Sequence, residues 1–225
     1  MPIDYTKRPK AVPPEAAGGS AVSLTKVSLT KAAPTVSLTK QGSATGMLRV
    51  NLNWDARPSA GGMFRKAGPP VDLDLACLYE YTDGSKGVVQ ALGDSLTDEH
   101  TFGGGPICRL DGDDRSGTNA QGENLYVDLR QLAAIRRILI FTFIYEGAPN
   151  WAAAKGVVTV FPATGPQIEV LLDEADDRAR TCALVMLENR DGDLSIRREV
   201  RYVQGAQNVL DALYNWGMSW TAGRK

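Results

Sequence analysis

L-R-V-N-L-N-W-D, residues 48–55, alternates apolar and polar side chains without a break. Leu48, Val50, Leu52 and Trp54 fall on one face, and Arg49, Asn51, Asn53 and Asp55 on the other. A period of two sustained over eight residues belongs to a strand with one buried and one wet face. The same pattern recurs outward from it. Residues 71–81 (V-D-L-D-L-A-C-L-Y-E-Y) set Val71, Leu73 and Leu75 on one face and Asp72 and Asp74 on the other. Asp83 and Gly84 open a turn into residues 86–92, which predicts a hairpin. Residues 107–110 and 124–129 predict two short strands around a D-G-D-D-R-S-G loop. Residues 136–146 (R-R-I-L-I-F-T-F-I-Y-E) are continuously apolar and rich in β-formers, as in a strand buried on both faces. One helical turn fits within residues 146–155, and further strands are expected at 156–161, 167–172, 180–188 and 194–203. Helical spacing appears only over residues 206–216, through Val209, Leu210, Leu213 and Trp216. About ten short strands, divided by turns, predict an all-β fold. The expected form is a two-sheet β-sandwich capped by a short C-terminal helix.

Composition sets limits on function. A net charge of −1 over 225 residues, with no basic stripe among aromatics, argues against a nucleic-acid partner. No apolar run approaches the roughly 18 residues that cross a membrane. The N-terminus lacks the apolar core of a secretion signal, so a cytoplasmic location is expected. Residues 1–21, rich in Pro, Ala, Gly and Lys, are expected to be a disordered tail. A pentad repeat, V-S-L-T-K, follows at residues 22–26, 27–31 and 36–40. Each copy can form one short strand, and identical pentads can compete for one sheet edge in the same register. The first 44 residues carry six basic and two acidic residues, so this segment is suited to lie against an acidic face. The organisation expected is a tail at 1–21, a β-sandwich domain at 22–205 and a helical cap at 206–225.

The acidic face lies between Val71 and Asp128, where twelve carboxylates meet Lys86, Arg109 and Arg115, a local charge of −9. Asp72 and Asp74 project from one strand face about 7 Å apart, twice the rise per residue. Protonation or a bound cation relieves such a pair. Asp111, Gly112, Asp113 and Asp114 form a turn rich in oxygen ligands, and Glu123 can add a bidentate carboxylate. Oxygen ligands suit a hard cation, Ca²⁺ before Mg²⁺. An EF-hand is excluded: counted from Asp111, position 6 is Ser116 and position 12 is Gly122. The simpler reading is a solvated acidic loop face that maintains solubility.

Support for an enzyme is slight. The one histidine, His100, lies in a polar loop, and no nucleophile elbow, P-loop or dinucleotide fingerprint occurs. Metal-dependent hydrolysis by paired carboxylates is a minor alternative. Cys77, Cys108 and Cys182 are odd in number and dispersed, with no C-x-x-C pair. Cys77 and Cys182 read as small buried hydrophobes, and nothing in the spacing arranges the three for chemistry.

The ordered set V-S-L-T-K, N-W-D (53–55), V-D-L-D (71–74), L-D-G-D-D-R-S-G (110–117) and G-E-N-L-Y-V-D-L (122–129) resembles the TerD-like family of tellurium-resistance and stress proteins. It looks most like the TerA-type members, over residues 22–205. The resemblance implies a Ca²⁺-binding β-sandwich of the bacterial cytosol, and with the missing catalytic motifs a non-enzymatic module is expected. It would act with related tellurium-resistance proteins and a membrane partner at the inner membrane surface. The family patterns are a W-D, a D-x-D-L-D and a long G-D-N-x-T-G-x-G-D-G-D-D-E. Trp54–Asp55 matches the first and Asp72–Asp74 the second. The third is matched only at its start, and T-N-A-Q-G at 118–122 replaces its acidic half, leaving Glu123. The implied metal ligands are therefore Asp72, Asp74, Asp111, Asp113, Asp114 and Glu123, and one Ca²⁺ site is expected rather than two. A second binding reading is Ca²⁺-dependent association with anionic lipid, the ion bridging acidic loops and headgroups.

Overall fold

A computed structural model describes residues 26–54, 71–99, 103–112, 122–147, 151–172 and 178–221. In chain order its first six strands are β1 (Val27–Ser28), β2 (Thr35–Ser37), β3 (Met47–Asn53), β4 (Asp72–Tyr81), β5 (Lys86–Val89) and β6 (Cys108–Leu110). The remaining six are β7 (Glu123–Asp128), β8 (Ile135–Glu146), β9 (Val157–Phe161), β10 (Ile168–Leu171), β11 (Thr181–Arg190) and β12 (Asp193–Val203). Two helices follow the same order, α1 (Trp151–Ala154) and α2 (Gln207–Leu213).

The strands form two six-stranded sheets, β1-β10-β9-β3-β7-β6 and β2-β12-β11-β8-β4-β5. The predicted sandwich is the observed one. Leu48, Val50 and Leu52 of β3 and Leu73, Leu75 and Cys77 of β4 belong to one core between the sheets. The second sheet is covered on its outer face as well. Ala76, Leu78, Leu139, Phe141 and Met186 pack there against Leu210 of α2 and Trp216 beyond it. Two covered faces explain why β4 is buried at every position and why β8 reads as one apolar run. A register shift between Ala183 and Val185 turns two consecutive residues, Leu184 and Val185, into the inner core.

Three features depart from the sequence reading. The pentad copies do not share one edge among the described residues. Residues 27–31 supply β1, parallel to β10 on the first sheet, and residues 36–40 supply part of β2, antiparallel to β12 on the second. The matching leucines, Leu29 and Leu38, both enter the inter-sheet core. Copy 22–26, apart from Lys26, and the tail at 1–21 lie outside the described residues. A six-residue 3₁₀ helix at Leu129–Ala134, too short for a periodic signal, follows β7, with Asp128 accepting a hydrogen bond from the Arg130 amide at its start. The C-terminal helix is shorter than predicted, ending at Leu213.

Candidate metal centre

Strand direction gathers the candidate residues at one end of the sandwich. β3 ends and β7 begins there, since the two are antiparallel neighbours with Leu52 opposite Glu123. β6 ends at the same level, with Leu110 opposite Leu125. In the second sheet, β4 begins there, with Asp72 opposite Glu146 at the end of β8. Trp54 joins the two sheets at this end, its indole N–H donating to the Val71 carbonyl at 2.8 Å. The chain leaves the described residues at this end twice, for residues 55–70 and 113–121. Asp55, Asp113 and Asp114 sit in them and lie outside the described residues, as does His100.

Asp72 and Asp74 occupy the first turn of the β4 pleat. Their parity is that of Ala76 and Leu78, so both carboxylates leave the outer face of the second sheet. Both are buried, Asp74 completely and Asp72 at 6% exposure. Glu123 comes from the opposite sheet. It shares the inward parity of Leu125 and Val127, and its Oε2 accepts a hydrogen bond from the Leu75 amide at 2.7 Å. β5 pairs with β4 only from Cys77 onward, so Leu75 lies on a stretch of β4 edge that β5 does not cover. A carboxylate from one sheet thus caps a backbone donor on the other, beside Asp74.

Asp111 has a different task among the described residues. Its Oδ1 accepts from the Asn124 amide at 3.0 Å and its Oδ2 from the Asn124 side chain at 2.7 Å. The Asp111 amide in turn donates to the Asn124 carbonyl, which closes the stem of the D-G-D-D loop. The Asn124 side-chain oxygen accepts from Arg49 and Asn51 of β3, so the stem is fastened to the first sheet. At the far end of the loop Gly122 has φ +64° and lies against the Leu52 backbone.

The acidic stretch is therefore not one field of free charge. Glu80 meets Arg137 at 2.6 Å, Arg136 at 2.8 Å and Lys86 at 3.7 Å. Asp128 pairs with Arg130, whose hydrogen bonds hold that carboxyl below its usual value. Asp83 accepts from Ser85, and Asp98 accepts from Tyr81 and from the Ile107 and Cys108 amides. Burial, with Cys108 and Asp98 nearby, pushes the Tyr81 phenol far up. At the loop end lie the buried Asp72, Asp74 and Glu123, the last tied to the Leu75 amide.

These donors fit a hard cation in kind: buried carboxylate oxygens beside loop stems that can add more. Among the described residues, no three of His, Cys, Asp and Glu gather closely enough to hold an ion by themselves. A complete ligand set would draw on Asp113 and Asp114 as well. Sequence reasoning found the carboxylates through charge and parity. It missed the Trp54–Val71 tie, the Asn124 clamp and the Leu75 amide, because hydrogen bonds between segments leave no mark in periodicity.

No family model matches the chain. The tellurium resistance protein TerA of Alcaligenes sp. is 39% identical over 207 residues, 91% of this chain and 60% of that protein. The chain thus spans about three-fifths of that relative's length. The crystal structure of a homologue of the telluride resistance protein TerD from Streptomyces coelicolor A3(2) superimposes with a TM-score of 0.50. That match covers 75% of this chain and 95% of the other at 21% identity, and it speaks to the fold alone. With the motif order along β3, β4 and β6 and the identity sustained over 91% of its length, the chain belongs to the TerA/TerD family of tellurium-resistance proteins.

Proposed function

We propose that the chain is a non-enzymatic, Ca²⁺-binding interaction module of a bacterial tellurium-resistance and stress-response system. It works in a complex with related tellurium-resistance proteins near the inner membrane surface. One observation carries this reading: the buried Asp72 and Asp74 carboxylates, two residues apart on one strand, with Glu123 fastened to the amide just beyond them. Buried carboxylates this close repel unless a proton or a cation intervenes. Asp72 and Asp74 would hold the ion, with Asp113 and Asp114 completing the set from the loop and Glu123 fixing the β4 edge. Bound Ca²⁺ would supply charge neutralisation at this end of the sandwich, which would then face a partner. No helix of the described residues is long and apolar enough to cross a membrane, so the membrane role proposed is peripheral.

Calorimetric titration with Ca²⁺, followed by thermal melting, tests the reading. Binding should raise the melting temperature through mass action, by roughly 2.7 kcal/mol of stability at a hundredfold excess over Kd. Asp72→Ala and Asp74→Ala should abolish the rise, and Asp113→Ala should weaken it. No heat of binding at millimolar Ca²⁺ would defeat the proposal. An Mg²⁺ titration of equal strength would refute the choice of ion.

A further inference from the structure

Cys77 and Cys108 stand 31 residues apart in the sequence, and the fold sets them on strands of its two sheets that face one another within one core. Cys77 points inward from β4 of the second sheet, opposite Val89 of β5. Cys108 opens β6 of the first sheet, opposite Val127. β5 and β6 are edge strands, and β4 lies against β6 across the core. Both sulfurs are free thiols with no exposed surface. The Cys108 thiol is near enough that it adds to burial in pushing the Cys77 thiol up.

Cys108 is held firmly at the start of its strand. Asp98 Oδ2 accepts from the Cys108 amide at 3.2 Å and from the Ile107 amide at 3.1 Å. Tyr81, four residues along β4 from Cys77 and on the same inward face, donates to Asp98 and places its Oη 3.7 Å from Cys108 Sγ. Cys182 is elsewhere, on β11, with β8 between it and β4, and its Sγ lies 3.4 Å from the Ala183 carbonyl.

We infer that Cys77 and Cys108 form a two-electron redox pair that closes into a disulfide between the two sheets when a hydroperoxide reaches them. Cys108, as thiolate, attacks the peroxide, since burial keeps Cys77 protonated, and the O–O bond breaks. The departing alkoxide takes up the thiol's proton and leaves as an alcohol, or as water from hydrogen peroxide, while the sulfur becomes a sulfenic acid. The second thiol then attacks that sulfur. The S–S bond forms, the S–O bond breaks, and water leaves with the second proton. The two thiols lose two electrons, and the peroxide gains two. Entry requires local opening of the edge, where β5 has four residues and β6 three. A small peroxide can use such an opening, whereas a bulky alkylating reagent cannot. The new bond would join the strands whose loop ends carry Asp74 and Asp111.

The test treats the 225-residue chain with hydrogen peroxide under native conditions and maps its peptides without reduction. The pair predicts loss of two hydrogens, a Cys77–Cys108 linked peptide, a free Cys182 and reversal by dithiothreitol. The melting temperature of the oxidised form should rise by about 5–10 °C, as expected for a cross-link closing a loop of this length. Cys182→Ser should oxidise like the parent, whereas Cys108→Ser should not form the intramolecular bond. In denaturant the native selectivity should vanish and all three pairings should appear. A native product that involves Cys182, links two chains or carries only higher oxides would overturn the inference, as would an unchanged mass. These outcomes are read on the parent protein, so they hold even where a variant misfolds.

Discussion

Gly122 shows how a single position controls the candidate centre. Its φ of +64° favours glycine, and a Cβ there would press into the Leu52 carbonyl oxygen. Gly122→Ala should cost at least about 1–2 kcal/mol in urea unfolding and displace Glu123 from the Leu75 amide. Amide exchange at Leu75 would report that displacement directly. Asp128 offers a test by pH. Its carboxyl is held below 3.8 chiefly by the Arg130 side chain, and it also caps the 3₁₀ helix. A depressed carboxylate stabilises the fold fully above its ordinary value, and the contribution is lost as pH falls through the lower folded value. Asp128→Ala should therefore cost about 1 kcal/mol near neutral pH through the lost cap. The difference from the parent should shrink as pH drops below the ordinary carboxylate range, as followed by denaturant midpoints. At this scale the sequence was readable by residue type and parity. Asp72 and Asp74 share a face as predicted, while Asp111 turned out to be occupied by Asn124. That exchange depends on pairing between β6 and β7, which no local pattern announces.

The element that most resisted reading is the C-terminal segment. Its apolar spacing showed a helix, but not what holds it. Arg137 of β8 donates to the Tyr214 and Asn215 carbonyls, stacks 3.9 Å over the Trp216 ring and meets buried Glu80. Lys86 donates to the Trp216 carbonyl, and the Trp216 indole donates to the Tyr79 carbonyl. Arg137 is thus a clasp between helix end and sheet. Arg137→Ala should destabilise by about 2 kcal/mol, because Arg136 and Lys86 still face Glu80. Arg137→Lys should restore less than half of the loss, since an ammonium cannot reproduce the planar fork and the ring stack. Removing residues 206–225 should expose Leu78, Leu139, Phe141 and Met186, a change visible as dye binding and self-association. β8 and β4 were legible as buried strands because a sheet covered on both sides leaves continuous apolar runs. The partner on the outer face was not, because one helix of seven residues carries too few periods to state its destination.

For the whole molecule, alternation and turn spacing were sufficient to predict a two-sheet sandwich. They were insufficient for its edges. The two described pentads carry the same five residues and take opposite roles, parallel on one sheet and antiparallel on the other. Identical local propensity cannot choose between them; the strands they meet, β10 and β12, set the direction. Their positions also bear on the order of events during synthesis. β1 and β2 leave the ribosome before every other described strand, yet their partners, Ile168–Glu169 and Ser195–Arg197, emerge more than a hundred residues later. The strands made first are therefore among the last to be seated, and the nascent chain must keep one sticky pentad waiting until translation reaches β10 and the other until it reaches β12.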